Sequence, residues 1–114
     1  DIFEFLDRYR ASHGIGLLLD FGHINVASCR LGFDKFKFLD RLFRDYPDKI
    51  FEVHVSENNG ERDSHEVTPS DSWQIKILRQ NKKILNGVPV AFEWRRSSER
   101  RIYQQFVRLN ELLG

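Results

Sequence analysis

The sequence predicts an α/β fold around a parallel sheet, and three observations lead there. Short apolar runs recur at residues 15–20, 49–55 and 88–93, helix-periodic segments separate them, and each run ends at or beside a residue able to bind a metal. The runs are Leu17-Leu18-Leu19-Asp20, Ile50-Phe51-Glu52-Val53-His54 and Val88-Pro89-Val90-Ala91-Phe92-Glu93. Strands alternating with helices form βαβ units, which carry the C-terminal ends of the strands to one face of the sheet. Residues far apart in sequence then converge on one rim.

Each element has its own signal. Ile2, Phe5, Leu6 and Tyr9 recur at helical spacing, so residues 1–12 read as a helix that Gly14 stops. Residues 15–20 are continuously apolar, the pattern of a strand buried on both faces. A loop holding His23, Asn25, Ser28 and Cys29 is expected next. Asp34 then caps a helix whose apolar face is Phe36, Leu39, Leu42, Phe43 and Tyr46, and Pro47-Asp48 stops it. The second strand covers 49–55. The polar stretch from Ser56 to Glu66 is too long for a plain connection and reads as functional. Thr68-Pro69-Ser70 introduces a third helix with Trp73, Ile77, Leu78, Ile84 and Leu85 inward, closed by Asn86-Gly87. The third strand follows at 88–93. Ser97 or Ser98 caps a last helix carrying Ile102, Phe106, Leu109 and Leu113. Three strands and four helices result, in the order α-β-α-β-α-β-α.

Composition narrows the class. A chain of 114 residues, 40% hydrophobic and 31% charged with ten Phe, holds enough apolar surface for one core and for no more than one domain. The net charge of +1 gives no global pull towards nucleic acid or membrane. No apolar run approaches the ~20 residues that span a bilayer, and the first residues carry no signal-peptide pattern. Cys29 is the single cysteine, which excludes an internal disulfide and fits a reducing, cytoplasmic setting. The chain opens at Asp1 inside an amphipathic helix, without Met, so a fragment of a longer domain is expected.

Strand alternation sorts the faces. If Asp20, His54 and Glu93 point one way, Leu18, Glu52 and Ala91 point with them, while Leu17, Leu19, Phe51, Val53, Val90 and Phe92 face the helices. Glu52 is the misfit, because a carboxylate on an inner face needs a partner and the sequence reveals none. Imidazoles and carboxylates without thiolates suit Zn²⁺, Mn²⁺, Co²⁺, Fe²⁺ or Mg²⁺ and argue against a structural zinc-finger type of site. His23 extends the first strand end, and Asp63-Ser64-His65 places a second carboxylate–imidazole pair in the loop beyond His54, enough for a second ion.

Asp20-Phe21-Gly22-His23, His54, the loop Asn58-Asn59-Gly60 to Asp63-Ser64-His65, and Glu93, in that order and spacing, resemble the xylose isomerase-like barrel superfamily. That group includes sugar isomerases and epimerases and the endonuclease IV type of nuclease. The resemblance implies a partial (β/α)8 barrel, about strands six to eight, with the N-terminal strands missing. It implies that Asp20, His54 and Glu93 bind a divalent ion together with a Glu from strand five, that His23 contacts substrate or a second ion, and that Asp63 and His65 hold an additional one. Glu93 and His23 are then the expected catalytic residues. Thr68-Pro69-Ser70-Asp71-Ser72-Trp73 stands where the family usually has a Gly-rich stretch.

Two chemistries follow from the resemblance. In the isomerase and epimerase branch the ion chelates adjacent sugar oxygens while a carboxylate moves a proton through an enediolate. In the nuclease branch a cluster of ions activates water against a phosphodiester. The sugar branch, on a sugar or sugar phosphate, is preferred because a DNA-gripping half-barrel should be more basic. The third alternative is an inactive fragment that keeps its ligands and associates with itself through open sheet edges. Arg95 and Arg96, with Arg100 and Arg101, form a basic cluster after the last strand where such barrels often bind phosphate, and Asn58 joins Arg95 and Arg96 as an expected substrate contact.

Each of these residues also has a plainer reading. Asp20 and His23 suit a strand-to-helix cap, His54 a satisfied core histidine, Asp63 and His65 a solvated loop. The arginines suit an exposed first helical turn, and Trp73 and Trp94 suit packing. Taken jointly, the ordered set favours a metal site.

Overall fold

The computed structural model describes residues 1–95 and 97–114. It is an α/β structure of five α-helices and one three-stranded parallel sheet: α1 (Ile2–Arg8), β1 (Leu17–Asp20), α2 (Phe21–Leu31), α3 (Lys35–Asp45), β2 (Ile50–Val55), α4 (Trp73–Gln80), β3 (Val90–Phe92) and α5 (Glu99–Leu113). The strand order is β1-β2-β3, so β1 and β3 are its edges. No helix among the described residues is long and apolar enough to cross a membrane.

The helix count departs from the expected four. Residues 21–31, read as a loop, are α2. Their polar side chains break the apolar periodicity, yet the ends are well specified. Asp20 caps the N-terminus by accepting from the His23 N–H at 3.0 Å, and Gly32, at φ 71°, closes the C-terminus in the left-handed conformation. The polar face packs on another loop rather than on the core. Asn25 Nδ2 donates to Asn58 Oδ1 at 2.7 Å and Lys35 Nζ to Asn25 Oδ1 at 2.6 Å.

Two other helices are shorter than their patterns. α1 ends at Arg8, where Tyr9 is the cap residue, and not at residue 12. α4 stops at Gln80 because Asn81 turns both its backbone N–H and its Nδ2 onto the Ile77 carbonyl, at 3.1 and 2.9 Å. Residues 81–87 are turns instead, although Leu85 still reaches the core. α5 begins after Ser98, whose hydroxyl accepts from the Arg101 N–H at 3.2 Å.

The core lies between the sheet and the helices. Leu19, Val53 and Val55 from the strands meet Leu6 of α1, Leu39, Leu42 and Phe43 of α3, Ile75 and Leu78 of α4, and Leu109 of α5. Trp94 is buried there too, its indole N–H donating to Thr68 Oγ1 at 3.0 Å, and Trp73 packs on Phe21 and Phe36. The expectation of a strand buried on both faces holds for one face only. Leu18, on the side of Asp20, is 51% exposed. Phe51, expected to face the helices, is exposed instead: Leu17 pairs with Ile50 and Leu18 with Glu52, so Phe51 is the extra residue of an irregularity in the pairing, and it lies over Gly16, where an added Cβ would stand 2.5 Å from the ring.

Two ties hold α1 and the bottom of the sheet. The Tyr46 hydroxyl donates to Asp7 at 2.7 Å, and Arg10 stacks over the same ring. Buried Lys49 donates its ammonium to the Ser12 carbonyl.

Leu39 is fully buried between these layers. Leu39→Ala should therefore lower unfolding free energy by about 2–5 kcal/mol, read as a fall in the urea midpoint at unchanged slope.

Candidate metal centre

Register builds the rim. Asp20 pairs with His54 and His54 with Ala91, so the three strands end level with one another. Glu93 lies two residues past Ala91 and therefore on the same side, and its N–H donates to the Val55 carbonyl at 2.9 Å. The outcome is a cluster in which one ligand atom each from Asp20, His54 and Glu93 lies within 4.8 Å of the other two, all three half-buried. Ligands about 2.1 Å from one divalent ion are at most about 4.2 Å apart, so small side-chain adjustments bring these three into a coordination shell. A carboxylate, an imidazole and a second carboxylate are suitable donors for Zn²⁺, Mn²⁺, Co²⁺ or Fe²⁺.

His54 sits between two carboxylates. Its Nδ1 meets Glu93 Oε1, and its Nε2 meets Glu52 Oε1 at 2.8 Å. Glu52, expected to lack a partner, thus has one two residues along its own strand. The sequence carried that signal, because residues i and i+2 of a strand share a face. The Glu52 hydrogen bond, then the charge of Glu93, raise the His54 pKa above its usual 6.5, and burial opposes them.

A second group adjoins the first. Asp63 Oδ2 lies 2.6 Å from His23 Nε2 and 3.0 Å from His65 Nε2, and His23 Nδ1 is 3.3 Å from Asp20 Oδ2. His65 Nδ1 faces the Glu93 carbonyl oxygen at 3.0 Å. A carbonyl only accepts, so Nδ1 must carry the hydrogen. With that tautomer Nε2 presents a lone pair towards the Asp63 carboxylate, so the two offer donor atoms to a shared cation. Asp63 Oδ1 is buried with no hydrogen-bond partner among the described residues. The donor set thus suits cations: four carboxylates (Asp20, Glu52, Asp63, Glu93) share one rim with three imidazoles.

The loop carrying Asp63 and His65 is fastened at both ends. Glu57 and Glu66 exchange backbone hydrogen bonds at 2.9 Å each way, closing it at its base. His65, the one non-glycine residue at positive φ among those described (51°), accepts the Arg95 N–H on its carbonyl at 2.7 Å. The loop also lies directly on α2. A Cβ added at Gly22 would stand 2.8 Å from Ser56 Oγ and 3.0 Å from Asp63 Oδ1, so glycine is needed for that approach. Gly22 and Asn25 thus support the site, Gly22 by admitting the loop and Asn25 by its bond to Asn58, roles that the sequence alone does not assign to them. The glycine between Asp20 and His23 was the available clue.

The expected substrate contacts fare differently. Asn58 is buried, its Oδ1 accepting from Asn25 and from the Gly60 N–H at 2.9 Å, its Nδ2 donating to the Gly22 carbonyl at 3.0 Å. It braces the loop against α2. Arg95 is exposed and lines a surface cavity with Arg62 and Arg101, while Arg96 lies outside the described residues. No protein-family model, curated protein or solved structure matches the chain.

The raised His54 pKa fixes a sign. Between its usual value and its raised one the folded chain binds more protons than the unfolded chain, so stability falls as pH rises. In EDTA, urea unfolding should show this contribution fully present below about pH 6.5 and lost as pH climbs through the folded value. Glu52→Gln should flatten that slope.

Proposed function

We propose that this chain supplies part of the active-site rim of a (β/α) barrel enzyme of the xylose isomerase-like kind, a divalent-metal-dependent isomerase or epimerase of sugars. The observation that carries the reading is the convergence of Asp20, His54 and Glu93 from three successive parallel strands. Bound there, a divalent ion supplies Lewis-acid polarisation of a carbonyl or hydroxyl oxygen.

The chain's own residues provide the rest. Asp20 and His54 have little freedom, one tied to the first turn of α2 and the other between Glu52 and Glu93. Glu93 sits just past the end of β3, and its Oε2 has no protein donor among the described residues, which leaves it able to accept a proton from a sugar carbon or hydroxyl. His23 is the most exposed imidazole of the rim, 65% exposed, and can reach an incoming ligand by leaving Asp63. The sugar's hydroxyls would meet a half-buried, acidic surface suited to chelated polyols rather than to a nucleic-acid backbone.

One observation favours a second reading, a metal-dependent phosphodiesterase. Asp63 bridges His23 and His65 directly beside the triad, a donor set broad enough for several ions. Ligand preference separates the two, because a second ion is compatible with either.

Titration with Mn²⁺, followed by its paramagnetic resonance signal, should show one tight site that His54→Ala and Glu93→Ala each weaken about 10-fold or more. Adding a polyol such as xylitol should then lower the water-proton relaxation enhancement of the bound Mn²⁺. Unchanged affinity in both variants would overturn the site, and a dinucleotide phosphodiester that lowers the enhancement where xylitol does not would favour the phosphodiesterase.

A further inference from the structure

Of the four carboxylates near the rim, Glu52 stands below the strand ends, two residues before His54 on β2. Its neighbours on that face offer it nothing. Leu18 pairs with it on β1 and Ala91 pairs with His54 on β3, and neither side chain carries a hydrogen-bond donor. Among the described residues its hydrogen-bond partner is His54, whose Nε2 lies 2.8 Å from Oε1. A carboxylate beside Leu18 gives the sheet nothing that an apolar side chain would not supply better. Its reason lies in the ring it touches.

A neutral imidazole carries one hydrogen on two nitrogens. His54 Nδ1 faces Oε1 of Glu93, a member of the ligand triad. An ionised carboxylate only accepts, so Glu52 holds the ring hydrogen on Nε2 and leaves Nδ1 its lone pair on the side of Glu93. An imidazole that donates its remote N–H to a carboxylate is held in orientation and made a better donor to a metal. Reach matters as well. Residues i and i+2 of a strand stand about 6.6 Å apart along it. Glutamate spans to the ring, whereas aspartate, shorter by one C–C bond of about 1.5 Å, would fall outside hydrogen-bond distance.

We infer that Glu52 is the positioning residue of the metal centre: it fixes His54 as the Nε2–H tautomer and so makes Nδ1 the nitrogen that binds the ion. This role rests on the metal reading of the rim and adds a residue outside the ligand set, one that acts through geometry rather than through its charge.

Zn²⁺ is the probe, titrated in competition with a chromogenic chelator. Long-range nitrogen–proton correlation spectra of isotope-labelled histidine report the state of each ring nitrogen. In the Zn²⁺-loaded chain His54 should show a metal-bound Nδ1 and a hydrogen-bearing Nε2. Glu52→Ala, and Glu52→Asp with its charge kept but its reach lost, should each weaken Zn²⁺ binding about 10-fold or more. Glu52→Gln, with an acceptor oxygen at full reach but no charge, should lose less than either and keep the Nε2–H tautomer. Asp7→Asn, in the tie between α1 and Tyr46, should leave both readouts unchanged. The reverse order, in which Glu52→Asp retains what Glu52→Gln loses, would mean that charge alone attracts the ion, and it overturns the positioning role. Equal losses in those two variants, a metal-bound Nε2 in the unsubstituted chain, or unchanged affinity in Glu52→Ala overturn it too. Unchanged affinity in Glu52→Ala beside lost binding in His54→Ala leaves the metal reading standing, whereas failure of that reading shows as no Zn²⁺ binding by the unsubstituted chain and takes this role with it.

Discussion

The pairing register of three short parallel strands is the constraint on which everything else depends. Asp20 opposite His54, and His54 opposite Ala91, set the strand ends level. A slip of one residue in either pairing would turn a ligand to the helix-covered face, where Leu19, Val53 and Val55 now lie buried. The apolar side therefore enforces the polar one. Burial of those residues against α3, α4 and α5 is what keeps the carboxylates and imidazoles together at the rim, although four acidic groups close to one another repel in the absence of protons or a cation.

The strands were legible because apolar runs bounded by Gly14, Pro47 and Gly87 leave few alternatives at those lengths. The face shared by Asp20, His54 and Glu93 followed from alternation alone. α2 was not legible because its face is complementary to a polar loop, so the amides of Asn25 and Asn58 replace the apolar stripe that marks an ordinary helix. The end of α4 was hidden for a related reason, since a single side-chain amide at Asn81 decides it against the apolar periodicity running on to Leu85.

Within the rim, the link between His23 and Asp63 spans forty positions of chain and no local pattern announces it. It arises because α2 and the loop after β2 both begin at the C-terminal edge of the sheet and Gly22 lets them touch. Glu52 is the opposite case. Its neighbour was two residues away on the same strand, and the alternation rule that made it a misfit also identified its partner.

The reciprocal bonds between Glu57 and Glu66 make the loop above β2 a unit with its own closure. Within that closure the backbone is pinned on α2: an added Cβ at Gly60 would stand 2.6 Å from Cys29 Sγ, and the Glu61 carbonyl accepts from Arg30. The exposed side chains of Asn59 and Arg62 are the places where a lineage built on this framework can vary the entrance while the strand ends stay fixed.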